Sequence, residues 1–316
     1  MIFAQMPDLW VLVLALAIDL TLGEPPNAVH PVVWMGNLIA LFMKAPVYPN
    51  RSRAFQFVYG CIVALFTAAL FGLGAYFLLA FLKGINVIAY VLVGAVLLKT
   101  SFSVKALRGA ALKVKHLLVA SKLPEARSAV RALVGRATAD LDEKQIVSAT
   151  VESVAENSCD SFVAPLFYFL FLGVPGALAY RAINTLDNSI GFRGKYEYLG
   201  KFAARLDDVA NFIPARISAF IFVLAASVCR KDAAGAWRTM FRDHGKTASP
   251  NGGWTMGAMA GALGVSLEKP GHYRLGDSVN SLLPATVDGS LSVVVFMVVV
   301  WTVVILAGRW GWYVVT

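Results

Sequence analysis

The sequence contains few charged residues for its length. Only 15% of its 316 residues are Asp, Glu, Lys or Arg, whereas soluble domains carry about a quarter. Hydrophobic residues make up 58% of the chain, and the mean hydropathy is +0.66. This composition excludes an ordinary soluble protein and predicts an all-α, polytopic integral membrane protein.

Several common signatures are also absent. The three cysteines, Cys61, Cys159 and Cys229, are far apart and form no CxxC pair, which excludes a zinc-ligand spacing. The chain has no GxxxxGK[ST] motif and therefore no P-loop. It shows no repeat period either, although many transporters are built from inverted repeats.

The net charge of +9 comes from basic residues in the connections between apolar runs. Basic residues at these positions orient membrane proteins and contact anionic lipid head groups. The lipid bilayer is therefore the expected partner, and nucleic acid is not.

Six apolar segments are apparent, and most reach the roughly 20 residues that a membrane-spanning helix needs. We interpret the chain as one membrane-embedded domain, 1–316, with five to six apolar helices. The segments are 8–23, 55–82, 85–104, 161–180, 212–229 and 288–307.

Two of these segments are predicted to be broken or re-entrant. GVPG at 173–176 interrupts the fourth segment, and proline and glycine break helices. The fifth segment begins FIPAR, with Pro214 and Arg216 at its mouth. A single crossing by the fourth segment stays possible on sequence alone. We favour a hairpin, which puts the polar motifs before and after it on the cytoplasmic side.

The longest polar stretch, 105–151, is rich in lysine and arginine. Apolar residues recur in it at helical spacing, which predicts a cytoplasmic helical insertion. One helix is expected to begin near Pro124, with Ser121 as its N-cap. We assign the basic side chains of this stretch to membrane topology and lipid contact.

Glu152, Glu156 and Asp160 follow one another at intervals of four residues. On an α-helix such residues lie on one face, about 6 Å apart. Three adjacent carboxylates repel one another unless a cation neutralises them, and their hard oxygen atoms suit Mg²⁺. The alternative is a solvated helix face just before a membrane segment.

Two further polar clusters follow, and each combines carboxylates or amides with a nearby arginine. Such groups can bind phosphate or carboxylate, but they can also pair with one another near the surface. The residues are Arg181, Asn184, Asp187 and Asn188 in the first cluster, and Arg205, Asp207, Asp208, Asn211 and Arg216 in the second.

Two more motifs are ambiguous. DLTLGEPPNAVHPVVWMG contains His30, which is either a structural donor or a functional group. SPNGGWTMGAMAGALGV at 249–265 places Asn251 and Gly252 before a helix, where backbone amides bind anions. Gly257 and Gly261 form a GxxxG spacing that lets helices approach closely, which would permit a homo-oligomer.

Five ordered motifs resemble those of the CobD/CbiB family, the membrane-bound adenosylcobinamide-phosphate synthases. They are DLTLGEPPNAVHPVVWMG, ESVAENSCDSFVAPLFY, GALAYRAINTLDNSIG, ARLDDVANFIPARISA and SPNGGWTMGAMAGALGV. The resemblance covers nearly the whole chain, although 40–150 matches mainly in hydropathy. This chain has ENSCDS where many relatives carry ENTVDG, which retains Glu156, Asn157 and Asp160.

The resemblance implies an amide ligase that uses ATP and Mg²⁺. It would join an aminoalkyl phosphate, typically (R)-1-aminopropan-2-yl phosphate, to a propionate of adenosylcobyric acid. The product would be adenosylcobinamide phosphate, an intermediate of cobalamin biosynthesis. The enzyme would lie in the cell membrane with its active site facing the cytoplasm, and other cobalamin biosynthesis enzymes are expected partners.

The resemblance also suggests roles for the polar residues. Glu152, Glu156, Asp160, Asp207 and Asp208 would hold Mg²⁺ against the phosphates of ATP, with Asp187 as an alternative ligand. One carboxylate, or His30, would take the proton of the ammonium group. The residues expected to bind substrate or phosphate are Arg181, Asn184, Arg205, Asn211, Arg216, Asn251 and Gly252.

Two other functional classes stay open. Broken helices and intramembrane acids also line the pathways of transporters and channels, but here the polar residues gather at segment ends. A non-catalytic membrane scaffold for corrinoid biosynthesis is the second alternative.

Overall fold

The computed structural model describes residues 6–44, 51–192 and 196–315. Within these ranges the chain is almost entirely helical, which confirms the all-α prediction. The elements are α1 (Pro7–Thr21), α2 (Pro31–Met43), α3 (Arg53–Ile85), α4 (Val87–Lys99), α5 (Val104–Val119), α6 (Leu123–Val130), α7 (Glu143–Ser158), a π-helical turn (Cys159–Val163), α8 (Ala164–Ile190), α9 (Glu197–Ala210), α10 (Phe212–Val228), α11 (Ala233–Asp243), α12 (Gly252–Leu263), β1 (Leu267–Lys269), β2 (Tyr273–Leu275) and α13 (Pro284–Val315).

Four helical stretches of the described ranges are long and apolar enough to cross a membrane. A fifth results if α9 and α10, which meet at 46°, form one broken span. The polytopic prediction is confirmed, but the first predicted segment is a 15-residue helix. At 1.5 Å per residue α1 is about 22 Å long, shorter than the roughly 30 Å hydrocarbon core. The four stretches that are long enough to cross a membrane are Arg53–Ile85, Val87–Val119, Glu143–Ile190 and Pro284–Val314.

The chain divides into two compact units. Unit 1 comprises Met1–Ser103, Ala164–Ala210 and Val304–Thr316, and unit 2 comprises Val104–Val163 and Asn211–Val303. The predicted insertion at 105–151 falls within unit 2. The single membrane-embedded domain stays a prediction.

In unit 1, helix α3 packs closely against α8 and α9. A Cβ at Gly60 would lie 2.0 Å from the carbonyl oxygen of Leu199, so glycine permits this approach of α3 to α9. Val63, Leu186 and Ala203 form part of the buried core between the three helices.

Helix α8 folds back on itself at Gly173. This glycine has φ 66° and ψ −159°, a conformation outside the helical range. The rings of Tyr168 and Tyr180 stack with centroids 5.2 Å apart, although twelve residues of straight helix would separate them by about 18 Å. Glu143–Ile190 is therefore not one straight crossing, and the hairpin predicted from GVPG is confirmed.

In unit 2, helix α12 is buried and packs against α11 and α10. A Cβ at Gly261 would lie 2.2 Å from the carbonyl oxygen of Gly235. The GxxxG spacing of Gly257 and Gly261 therefore serves packing within the chain. This corrects the sequence interpretation, because these two glycines face α11 and are not available for a homo-oligomer contact.

The predicted start of α6 is nearly right, but the predicted cap is wrong. Helix α6 begins at Leu123 with Lys122 at the N-cap position, and no side chain caps it. Ser121 has φ 55° and precedes the cap.

Candidate functional site

Helix α7 carries the first predicted carboxylates. It begins at a capping box, in which Asp142 accepts a hydrogen bond from the backbone of Gln145 and the Gln145 side chain accepts one in return. Beyond Ser158 the helix continues as the π-helical turn that contains Asp160. The wider turn shifts the register of the residues that follow it relative to a regular α-helix.

Glu152 is 5% exposed, and both of its carboxylate oxygens already accept hydrogen bonds. Ser148 donates to Oε1 and the Tyr273 hydroxyl donates to Oε2, each at 2.7 Å. Burial, followed by the charge of Glu152, raises the pKa of the Tyr273 hydroxyl, which therefore stays a donor. Glu152 is held in place by partners from within its own helix and from β2.

Glu156 differs from Glu152 because it is exposed. Its Oε1 lies 2.9 Å from the position that a Cβ of Gly252 would occupy. The glycine thus lets a carboxylate approach the first turn of α12, where Gly252 and Gly253 begin the helix.

The predicted metal site is not formed by protein groups alone. Within the described ranges, no three Asp, Glu, His or Cys side chains are arranged to hold a metal ion. This corrects the prediction that Glu152, Glu156, Asp160, Asp207 and Asp208 act together as ligands. The oxygens of Glu152 have protein donors, and Asp160 lies in the π-helical turn.

Arg136 is a neighbour of Glu152 that the sequence interpretation missed. Its side chain is 14% exposed, and its Nη2 lies 3.5 Å from Oε1 of Glu152. The sequence interpretation assigns it to lipid contact, but its side chain is largely buried against a residue of α7. Nothing in its local sequence, VGRAT, distinguishes it from the surface arginines of the same stretch.

Arg216 and Asn251 lie beside the start of α12. The Arg216 guanidinium donates to Oδ1 of Asn251 at 3.1 Å and lies 4.9 Å from the ring centroid of Trp254. It also lies 3.5 Å from the ring of Phe212 and donates to the carbonyl oxygen of that residue. The predicted phosphate-binding arginine is thus fixed by aromatic rings and by Asn251, near Gly252.

A second polar cluster, in unit 1, links α8 to α9. Asn184 is 2% exposed and donates to Oδ1 of Asp207 at 3.3 Å. Arg181 and Asn188 each donate to Oδ1 of Asn184 at 3.2 Å. The structure therefore brings together three predicted residues, Arg181, Asn184 and Asp207, in a buried network.

The other predicted residues of this region lie around that network or at the surface. Arg205 is 75% exposed and lies 3.5 Å from Asp208, which agrees with simple surface pairing. Asp187 is half-buried near the end of α8, where a Cβ at Gly191 would lie 1.9 Å from its Oδ1. Asn211 is 3% exposed and immediately precedes α10.

His30 has a structural contact on each ring nitrogen, and its assignment as a proton acceptor stays a prediction. Its Nδ1 accepts a hydrogen bond from the backbone amide of Val32 and caps α2. That contact leaves the proton on Nε2, which lies 3.0 Å from Glu24. Both ring nitrogens are therefore engaged.

Glu24 joins His30 to a buried lysine. Its Oε1 lies 2.8 Å from Nζ of Lys99, which also lies 3.2 Å from Asp19. Partial burial raises the pKa of Glu24, but hydrogen bonds from His30 and Lys99 outweigh it and lower the pKa to about 2. These four residues hold the segment after α1 against the end of α4.

A surface cavity of about 520 Å³ lies beside α11 and α12, and it is lined by Trp237, Arg238, Arg242 and Asp277 among others. It contains none of the predicted site residues. Arg242 is already paired with Asp243 and Asp277, each at 2.8 Å, so we assign these charges to stabilising the fold.

Comparison with known proteins identifies the family. The family model described as CobD/Cbib protein matches residues 12–286. The cobalamin biosynthesis protein CobD of Dehalococcoides mccartyi is 54% identical over 90% of this chain and 92% of its own. A probable cobalamin biosynthesis protein CobD of Methanothermobacter thermautotrophicus is 39% identical over 92% of this chain and 96% of its own. No solved structure matches. The chain therefore belongs to the CobD/CbiB family.

Proposed function

We propose that this chain is an ATP-dependent amide ligase of cobalamin biosynthesis. It joins an aminoalkyl phosphate, typically (R)-1-aminopropan-2-yl phosphate, to adenosylcobyric acid and releases adenosylcobinamide phosphate. The names of its relatives support the pathway, and the five motifs support the reaction. The observation that carries the proposal is the exposed carboxylate of Glu156 beside Gly252 and the first turn of α12.

The reaction requires activation of the acid. A carboxylate does not condense with an amine in water, so ATP first converts it to an acyl phosphate. The amine nitrogen then bonds to the carbonyl carbon, the carbon–oxygen bond to phosphate breaks, and phosphate leaves. A carboxylate of the protein takes the proton that the nitrogen loses. His30 is the alternative proton acceptor, although both of its ring nitrogens have partners in the structure.

Glu156 fits a magnesium ion better than Glu152 does, because it is accessible. Mg²⁺ in nucleotide sites usually takes one or two carboxylates together with phosphate oxygens. Glu156 is exposed beside backbone that can approach phosphate, whereas Glu152 is only 5% exposed. When bound, the ion would neutralise phosphate charge. The protein's own contribution is to place Glu156, Asn251 and Arg216 around the start of α12.

The network of Arg181, Asn184 and Asp207 is proposed to bind polar groups of a substrate. Its amide and guanidinium donors suit phosphate oxygens or the carbonyl groups of corrinoid side chains. Asp187, Asp208 and Arg205, of the same unit, are assigned supporting positions around it, and Asn211 stays a separate candidate for substrate binding.

We assign the protein to the cell membrane with this chemistry on the cytoplasmic side. The basic stretches 105–151 and 230–246 support this orientation, because cytoplasmic loops carry an excess of lysine and arginine. Other enzymes of cobalamin biosynthesis are the proposed protein partners.

The test is an assay of detergent-purified protein with ATP, Mg²⁺, adenosylcobyric acid and aminopropanol phosphate. Mass spectrometry would detect the new amide, and ADP release would be measured in parallel. Amide formation coupled to ADP would establish the ligase. Absence of both from protein that still binds corrinoid would refute it and favour the scaffold.

The helix break at Gly173 favours a transporter as the second candidate, because broken helices line transport pathways. Reconstituted vesicles would distinguish the two. Uptake of labelled corrinoid without amide formation would support transport.

A further inference from the structure

Arg136 is an incompletely paired guanidinium in a buried position. It lies on the segment between α6 and α7, and its side chain is 14% exposed. Its contact to Glu152 is 3.5 Å long and involves Nη2. Nε and Nη1 are both buried and have no hydrogen-bond partner among the residues that the structure describes.

Such an arrangement is costly unless a ligand completes it. A guanidinium stays charged at any accessible pH and carries five N–H donors. Buried polar groups in proteins nearly always have partners, and an exception indicates a missing water, ion or ligand. Glu152 does not supply the missing acceptors, because its contact to the guanidinium is made by Nη2, whereas the atoms without a partner are Nε and Nη1.

The surroundings of Arg136 indicate the class of the ligand. Two separate donor atoms without acceptors require a ligand with several acceptor oxygens, and phosphate is the common group of this kind. Both Arg136 and Glu156 act electrostatically on the Tyr273 hydroxyl, so the three groups share one region. Glu156 is exposed, so this region opens to solvent. Because Glu152 and Glu156 repel a bare anion, the phosphate would bind together with a divalent cation.

We infer that Arg136 binds a phosphate group of the nucleotide beside α7. This assignment rests on the proposed function, since it adds a residue to the same site. Tyr273 and Ser148 are positioning residues, because they hold the Glu152 carboxylate that keeps Nη2 of Arg136 in place.

The test measures phosphate binding without catalysis. Thermal unfolding of the purified full chain would be followed with Mg²⁺ alone and with Mg²⁺ plus inorganic pyrophosphate. A ligand that binds only the folded state raises the unfolding temperature. The variants are Arg136→Gln, Arg136→Lys, and the control Arg131→Gln, whose arginine is exposed on the same segment.

Pyrophosphate should stabilise the native chain and Arg131→Gln equally. Arg136→Gln should bind it about 10- to 100-fold more weakly, the loss expected for a charge-assisted hydrogen bond. Arg136→Lys keeps the positive charge but has fewer N–H donors. Its affinity for pyrophosphate should therefore fall between those of the native chain and Arg136→Gln. This intermediate affinity separates lost binding from impaired folding.

If pyrophosphate stabilised Arg136→Gln as much as the native chain, the inference would be overturned. Buried water would then be the partner of the guanidinium. The proposed function can fail separately. If pyrophosphate binding depends on Arg136 but no amide forms, the phosphate site stands and the ligase does not. If amide forms with an unchanged KM for ATP in Arg136→Gln, the ligase stands and the inference fails.

Discussion

Replacing Glu152 and Glu156 separately with glutamine should affect different properties of the protein. The two residues are one helical turn apart and chemically identical, but Glu152 is 5% exposed and Glu156 lies at the surface. Glu152→Gln removes the carboxylate that faces the charge of Arg136. It also places an amide NH₂ group, which cannot accept a hydrogen bond, against the hydroxyl donor of Tyr273 or Ser148. Breaking a buried ion pair costs about 3 to 5 kcal/mol. The long 3.5 Å contact to Arg136 points to the lower end of that range.

Glu156→Gln should reduce the free energy of unfolding by less than Glu152→Gln does, because Glu156 is exposed. It should nevertheless abolish amide formation, since it removes the proposed ligand charge. Thermal unfolding and the coupled assay on the same preparations would separate the two effects. Equal destabilisation by both variants, or full activity in Glu156→Gln, would refute the division of roles drawn from their burial.

Three further predictions concern the scaffold. The pKa of Glu24 is lowered to about 2, so its stabilising effect should be complete above its unfolded-state pKa near 4.5 and should disappear as the pH falls toward 2. With 36% of the side chain exposed, solvent screening limits the effect to about 1 to 2 kcal/mol. Glu24→Gln should therefore lower the unfolding temperature at pH 7, should differ less from the native chain as the pH falls below 4.5, and should match it only at about pH 2. Gly173→Ala should cost about 1 to 3 kcal/mol, because only glycine adopts φ 66° with ψ −159° readily, and an unchanged unfolding temperature would contradict the hairpin geometry. Gly261→Leu should prevent α12 from packing on α11 and destabilise the folded chain. Gly74→Leu, at a glycine with open space around it, should not destabilise it. If Gly261→Leu instead changed the oligomeric state in size-exclusion chromatography without loss of stability, Gly261 would lie at an interface between chains.

Hydrophobic patterning was sufficient to predict most of the fold. Long apolar runs have few alternatives to membrane-embedded helices, and GVPG predicted the reversal at Gly173, because proline and glycine act on the local backbone. The first segment was wrong as a span, since Pro7 and Thr21 limit α1 to 15 residues. A hydropathy pattern does not indicate the residue at which a helix ends.

The candidate site was predicted less completely. Its carboxylates were recognised because charge is rare in this chain. Their individual roles were not, because spacing alone treats Glu152, Glu156 and Asp160 as equivalent. The π-helical turn at Cys159–Val163 interrupts the regular helix at Asp160, and the sequence contains no signal for it that we recognised.

The amino-acid sequence by itself determined that this protein is a helical membrane protein of the CobD/CbiB type and that its chemistry lies in a few polar motifs. Those conclusions depend on composition, local backbone preference and motif order, which are properties of the chain before it folds. Only the tertiary structure decided that Ser148 and Tyr273 donate to Glu152, that His30 caps α2 and that Arg136 lies 3.5 Å from Glu152. Tyr273, which occupies Glu152, is 121 residues away along the chain. Whether a polar group is available for chemistry depends on the neighbours that folding brings to it, and sequence spacing does not encode them.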